Sequence, residues 1–304
     1  MQMNALVPFF MTVRRTFALA ALATVTFATS AHAQDAAAIE RGKYLYTAAG
    51  CEGCHTDVKN KGEKLAGGRA LVTPFGTYYG PNITPDKDYG IGNWTDAQFI
   101  RALREGISPS GEHYFPVFPY PSFTKMTDRD ILDIKAYIFS QPAVARPDVP
   151  HDIKFPFGFR FTMAIWKMLF LDEGPMQPDP AHDAQWNRGA YLVRAVTHCG
   201  ECHTERNFLG ATRRDRELGG SPIGPDGRSV PNITPTERTH VNQWSVEEIA
   251  EVLSSGLTPE GDTVGNGMDE VVANTGKLTE EDRTAIAVFV KSMPPVPLPP
   301  RAAN

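Results

Sequence analysis

Apolar residues recur at helical spacing along the chain, in two series that run parallel. Tyr44 and Leu45, then Phe99 and Leu103, then Ile134, Tyr137 and Ile138 predict three amphipathic helices in the first half. Tyr191 and Leu192, Ile249 and Leu253, and Ile286, Phe289 and Val290 predict three more in the second. The polar positions mark where these helices begin and end. Thr95-x-x-Gln98 and Ser245-x-x-Glu248 read as capping boxes, in which a hydroxyl accepts from the backbone three residues on and that residue's side chain bonds back. Gly106 and Gly256 follow as residues suited to a left-handed helix end. Thr127 and Thr279 stand where the last helix of each series should open.

The two series are copies of one unit. Arg41–Gly42 and Tyr44–Leu45 recur as Arg188–Gly189 and Tyr191–Leu192. Pro81–Asn82–Ile83–Thr84–Pro85 recurs 150 residues later as Pro231–Asn232–Ile233–Thr234–Pro235, and Trp94 and Gly106 recur at the same displacement as Trp244 and Gly256. Both Asn-Ile-Thr triplets match a glycosylation pattern, but their matched places before proline favour a turn beside the functional site. Their asparagines, with Trp94 and Trp244, are expected to face whatever group that site holds.

The pattern also sets boundaries. Arg14–Arg15, the apolar run Phe17–Phe27 and the ending Ala31–His32–Ala33 have the order of a secretory signal peptide. We therefore expect a signal peptide at 1–33, a first domain at 34–145, a linker at 146–184, a second domain at 185–295 and a Pro-rich extended tail at 296–304. The linker's apolar run Met163–Leu171 predicts a helix packed across both domains, with a docking surface for a partner subunit or a membrane as the alternative reading.

Charge narrows the partners. Removing Arg14 and Arg15 with the signal peptide leaves 28 basic against 35 acidic residues, a formal charge of −7. Such a surface repels nucleic acid and anionic lipid. Beyond residue 33 no apolar stretch is long enough to span a membrane, so no transmembrane helix is expected in the mature chain.

The four cysteines supply the chemistry. They lie in two frames, Cys51-Glu-Gly-Cys54-His55 and Cys199-Gly-Glu-Cys202-His203. C-x-x-C-H is the attachment signature of haem c. Two thiols at this spacing add to the two vinyl groups on one edge of the porphyrin, and the next histidine gives the iron its proximal nitrogen. A four-thiolate zinc site would leave both histidines unexplained and would need far closer pairs. Two haem c groups, each with an iron, are expected on Cys51, Cys54 and His55 and on Cys199, Cys202 and His203. A haem that carries electrons usually has a sixth ligand, drawn from the loop before the last helix. Met268 fits that place in the second unit. Its counterpart in the first is Phe118, which has no donor atom. His113 and Met126 are the nearby alternatives, and a vacant or water-bound iron is the third.

These residues carry a resemblance. Asn82-Ile-Thr-Pro, Gly90-Ile-Gly-Asn-Trp94, Phe115-Pro-Val-Phe-Pro-Tyr-Pro-Ser122 and Gln185-Trp-Asn-Arg-Gly-Ala-Tyr191 resemble the cytochrome c subunits of bacterial periplasmic dehydrogenases for alcohol, gluconate, related sugars and N-heterocycles. The resemblance implies an all-α fold of two tandem class I cytochrome c-type domains, each built around one covalent haem c. It implies a periplasmic electron carrier that accepts electrons from a periplasmic or membrane-bound dehydrogenase. They would pass on to an oxidase or a quinone-linked acceptor. Many relatives have methionine where this chain has Phe118, so the first sixth ligand stays open. The competing reading is a peroxidase-like dihaem enzyme that reacts at an open first haem.

Overall fold

A computed structural model describes residues 35–224, 227–265 and 267–298. The expected signal peptide and residues 299–304 lie outside the described residues. The chain is mostly helical. In the first half a helix over 35–48 (α1) precedes α2 (Cys51–His55), α3 (Asp96–Glu105), α4 (Tyr120–Phe123) and α5 (Asp128–Phe139). The linker holds α6 (Thr162–Phe170). The second half repeats the order, with α9 added, as α7 (Ala184–Tyr191), α8 (Gly200–His203), α9 (His240–Gln243), α10 (Val246–Ser255), α11 (Met268–Thr275) and α12 (Glu280–Ser292).

The expected helix signals act as read. Thr95 and Gln98 cap α3, and Ser245 and Glu248 cap α10, each with both bonds of the box present. Gly106 and Gly256 end those helices at φ 60° and 77°. Thr127 and Thr279 each accept from the backbone N–H three residues on and so open α5 and α12.

Each half is held by a close helix crossing. A Cβ on Gly42 would lie 1.8 Å from the carbonyl oxygen of Asp133, and one on Gly189 would lie 1.9 Å from that of Ala285. Only glycine lets α1 meet α5, and α7 meet α12, at this distance. The arginine before each glycine then forks onto the facing helix. Arg41 donates to both oxygens of Asp133, and Arg188 to both oxygens of Asp282.

The all-α expectation missed a small antiparallel sheet. β1 (Ala70–Thr73) and β2 (Gly76–Tyr79) form a hairpin, and β3 (Asp152–Ile153) of the linker pairs with β2, placing Ile153 opposite Gly76. These strands are too short to leave a period in the sequence.

One buried cluster runs through both halves, from Leu45, Phe99 and Ile134 to Leu192, Ile249 and Phe289. Two of the polar contacts between the halves are reciprocal. Tyr44 donates to Asp282 at 2.7 Å and accepts from the backbone N–H of Thr279 at 3.1 Å. Its counterpart Tyr191 donates to Asp130 and accepts from the N–H of Thr127 at 3.1 Å. Each half thus lends a phenol to the N-terminus of the other's last helix. α6 bridges the same halves: Trp166 Nε1 donates to the carbonyl of Leu209, while Lys167 Nζ donates to those of Glu105 and Gly106.

Candidate functional site

Both C-x-x-C-H frames form a short helical turn and are then fixed by the same three bonds. After His55 the hydroxyl of Thr56 accepts from the N–H of Leu65 at 3.0 Å, and Gly67 N–H donates to the carbonyl of His55 at 2.8 Å. After His203 the hydroxyl of Thr204 accepts from Leu218 at 3.1 Å, and Gly220 donates to His203 at 2.7 Å. The chain returns to the histidine ring through the Pro-Asn-Ile-Thr segment. His55 Nδ1 lies 2.8 Å from the carbonyl oxygen of Pro81, and His203 Nδ1 lies 2.9 Å from that of Pro231. A carbonyl only accepts, so each ring carries its proton on Nδ1 and keeps the lone pair of Nε2. This is how a metal-ligating imidazole is oriented by its surroundings.

The asparagines do not face the site, which corrects the sequence expectation. Asn82 Nδ2 donates to the carbonyls of Val144 and Arg146, and its Oδ1 accepts from the N–H and hydroxyl of Thr84. Asn232 Nδ2 donates to Val296, and its Oδ1 takes the same two bonds from Thr234. Both side chains are buried. They clamp the strand of chain that follows the last helix, and so hold the proline carbonyl beside the ring. Val296, expected to begin the extended tail, is buried inside this clamp. The functional residues missed in the sequence are Pro81 and Pro231. Their recurrence beside each asparagine was the available signal.

Trp94 and Trp244 are half-buried against the core. The backbone carbonyl of each accepts from a lysine of its own half's last helix, Lys135 and Lys291.

Burial pushes the Cys51 thiol up to about 12, with Cys54 adding to the rise, and it also raises the Cys54 and Cys199 thiols. Among the described residues, no group of three or more His, Cys, Asp or Glu stands ready to hold a metal ion. The same burial holds His55 and His203 below the ordinary imidazole range, against the opposing pull of the proline carbonyls, so both are neutral at pH 7.

The residues expected to offer a sixth ligand differ between halves. Met268 opens α11, half-buried against the core. Phe118 packs edge-on against Tyr114 and Phe123. Met126 is fully enclosed by protein. His113 Nδ1 lies 3.0 Å from Lys167 Nζ. An ammonium only donates, so Nδ1 accepts and Nε2 carries the proton. In this arrangement neither nitrogen of His113 has a lone pair to offer.

Sequence comparison joins this geometry to known proteins. Residues 39–142 match the cytochrome c family model. The chain is 44% identical over 265 residues to a diheme cytochrome c-type protein of Cereibacter sphaeroides, covering 84% of this chain and 86% of that one. The chain belongs to the family of c-type cytochromes that includes the cytochrome subunits of dehydrogenases. It is 39% identical over 258 residues to the fructose dehydrogenase cytochrome subunit of Gluconobacter japonicus, a match over 84% of this cytochrome and 52% of that protein. It is 35% identical over 281 residues to the gluconate 2-dehydrogenase cytochrome c subunit of Pantoea cypripedii, over 90% of this cytochrome and 63% of that protein. This cytochrome thus spans between half and two thirds of the length of those two relatives. A cytochrome c domain holds haem c covalently. The half-buried thiols and the Nδ1-protonated imidazoles of this cytochrome suit that group. No helix among the described residues is long and apolar enough to cross a membrane.

Proposed function

We propose that this cytochrome is a periplasmic two-haem electron carrier. Cys51 and Cys54 hold one haem c by thioether bonds, with His55 as its proximal ligand. Cys199, Cys202 and His203 hold the second. The observation that carries the reading is the repeated pair of histidine-to-proline contacts, which leaves Nε2 available in both frames. When bound, a haem supplies one-electron chemistry, and the chain sets its potential through the axial ligands and burial. The chain's own work is to hold both imidazoles neutral and oriented and to surround each site with apolar side chains.

Met268 would hold the second haem's iron opposite His203. The first lacks an equivalent, because Phe118 has no donor, Met126 is enclosed by protein and His113 is bonded to Lys167. Electrons enter from a partner dehydrogenase and leave to an oxidase or quinone-linked acceptor. The named relatives support the dehydrogenase. So does the linker, where Phe155, Phe161, Met168 and Leu169 are each more than 60% exposed, an apolar face of the kind that partners cover. The missing first ligand also favours a second reading, a dihaem enzyme reacting at that iron, which bleaching or turnover on added peroxide would reveal.

The test of the main reading is the haem content of the purified holoprotein, taken as pyridine haemochrome against protein concentration. Two haems per chain are expected, falling to one in Cys54→Ser and one in Cys202→Ser. One haem or none in the unaltered chain overturns the reading.

A further inference from the structure

His198 precedes Cys199 directly, as Gly50 precedes Cys51. Gly50 has φ 63° and His198 has φ 42°, so both copies take the left-handed conformation at this position. Glycine adopts it without penalty, whereas histidine is strained there. Strain of this kind persists where surrounding contacts hold the residue in place. Two contacts hold the His198 ring, and both come from the other half. Its Nε2 lies 3.1 Å from the carbonyl oxygen of Ala49, and its ring meets that of Phe123 edge-on with centroids 5.6 Å apart. The carbonyl accepts, so Nε2 carries the proton and is unavailable to any iron.

Ala49 is two residues ahead of Cys51. The hydrogen bond therefore joins the segments that enter the two C-x-x-C-H frames. The other contacts between halves are placed differently. Tyr44 and Tyr191 end on the last helices, Arg69 reaches Glu270 beyond the second frame, and Ser122 reaches Glu201 from α4 rather than from the first frame.

We propose that His198 is the electronic bridge between the two haem sites. This rests on the two-haem reading above. The path runs from the Cys51 thioether along the backbone through Gly50 to the carbonyl of Ala49. It crosses one hydrogen bond to the His198 imidazole and reaches the Cys199 thioether through the His198 side chain and the next peptide. With both haems bound, one electron would pass from a ferrous iron in one half to a ferric iron in the other, and no proton would move. Tunnelling decays less steeply through covalent bonds and hydrogen bonds than across a gap, so the imidazole sets the coupling. His198 is a positioning and coupling residue, and it ligates neither iron.

The test compares His198→Gly, His198→Asn and His198→Gln in the holoprotein. Glycine copies the first half and removes the imidazole. Asparagine tolerates the left-handed backbone but is too short to reach Ala49, so it serves if the glycine variant fails to fold. Glutamine places an amide near the position of Nε2 and keeps the bond. Haem content and the two midpoint potentials are measured first, then the rate of electron redistribution between the haems after rapid photoreduction of one. The expected result is two haems and unchanged potentials in every variant, a several-fold loss of rate in glycine and asparagine, and recovery in glutamine. A purely structural tie would not give that pattern at fixed potentials. Wild-type rates in the glycine or asparagine variant, or no recovery in glutamine, overturn the bridge. Fewer than two haems in the unaltered chain overturns the two-haem reading instead.

Discussion

In the first half, the loop ahead of α5 presents Phe118, set edge-on among Tyr114 and Phe123 and packed against the cluster that Tyr120 forms with Trp166 of the linker helix. In the second, the loop ahead of α12 presents Met268 at the open start of α11. On the proximal side the halves match almost bond for bond: Pro81 and Pro231 on the histidines, Thr56 and Thr204 on the returning chain, Asn82 and Asn232 on the clamp. The difference follows from α6. Its Lys167 is bonded to Glu105, Gly106 and His113, and its Trp166 packs on Tyr120, all distal elements of the first half. To the second half α6 gives the bonds of Trp166 to the Leu209 carbonyl and of the Phe170 carbonyl to Arg214, and the linker's end adds Asp179 and His182 on Asn187 of α7. The proximal side is built from bonds internal to each repeat, so duplication carries it unchanged. The loop that carries Phe118 is shaped by what packs on it, and Lys167 of α6 bonds to Glu105, Gly106 and His113 of the first half alone.

Substitutions that treat the halves as equal test that account most strongly. Gly42→Val and Gly189→Val each force a side chain into a backbone carbonyl, and each should cost about 3 kcal/mol or more in urea unfolding. Similar clearances predict similar costs; a large inequality would break the equivalence of the two helix crossings. The asparagine clamps should separate the halves slightly. Asn82→Ala strands two strap carbonyls and should cost about 3 kcal/mol, against about 2 kcal/mol for Asn232→Ala, which strands one. The reverse order would show that the second clamp carries more than its bonds suggest. Smaller still, Tyr44→Phe and Tyr191→Phe should each cost about 1 kcal/mol. Reciprocity predicts nearly equal values.

Acid should loosen the same interface. Burial raises the Asp282 carboxyl, but the bonds from Arg188 and Tyr44 outweigh it and hold the group below its ordinary 3.8. A carboxyl lowered on folding stabilises the folded state above its unfolded value and loses that contribution as pH falls through the folded value. Stability should therefore drop below about pH 4. Asp282→Asn should flatten that part of the profile, and an unaltered slope would place the acid sensitivity elsewhere.

Much of this was legible in the sequence, for reasons that can be stated residue by residue. Capping boxes and left-handed glycines act within a few residues, so Thr95, Gln98, Gly106 and their copies could be read directly. The C-x-x-C-H frames are local as well. The proline carbonyls were hidden beside the more conspicuous asparagine side chains, because a backbone acceptor leaves no mark of its own. Tyr44 and Tyr191 looked like core residues, and their bodies are packed so; their hydroxyls bond more than 60 residues away in sequence. His198 carried one faint signal, a histidine where the copy has glycine. Nothing local in the sequence could have named Ala49 as its partner.

The proposal that the chain holds two haems, alike on the histidine side and unlike on the opposite side, is tested most directly by carbon monoxide titration of the reduced holoprotein against total haem. Prompt binding by half of the haem, rising to all of it in Met268→Ala, is the predicted result. Prompt binding by none of the haem, or by all of it in the unaltered chain, would contradict that division between the two sides.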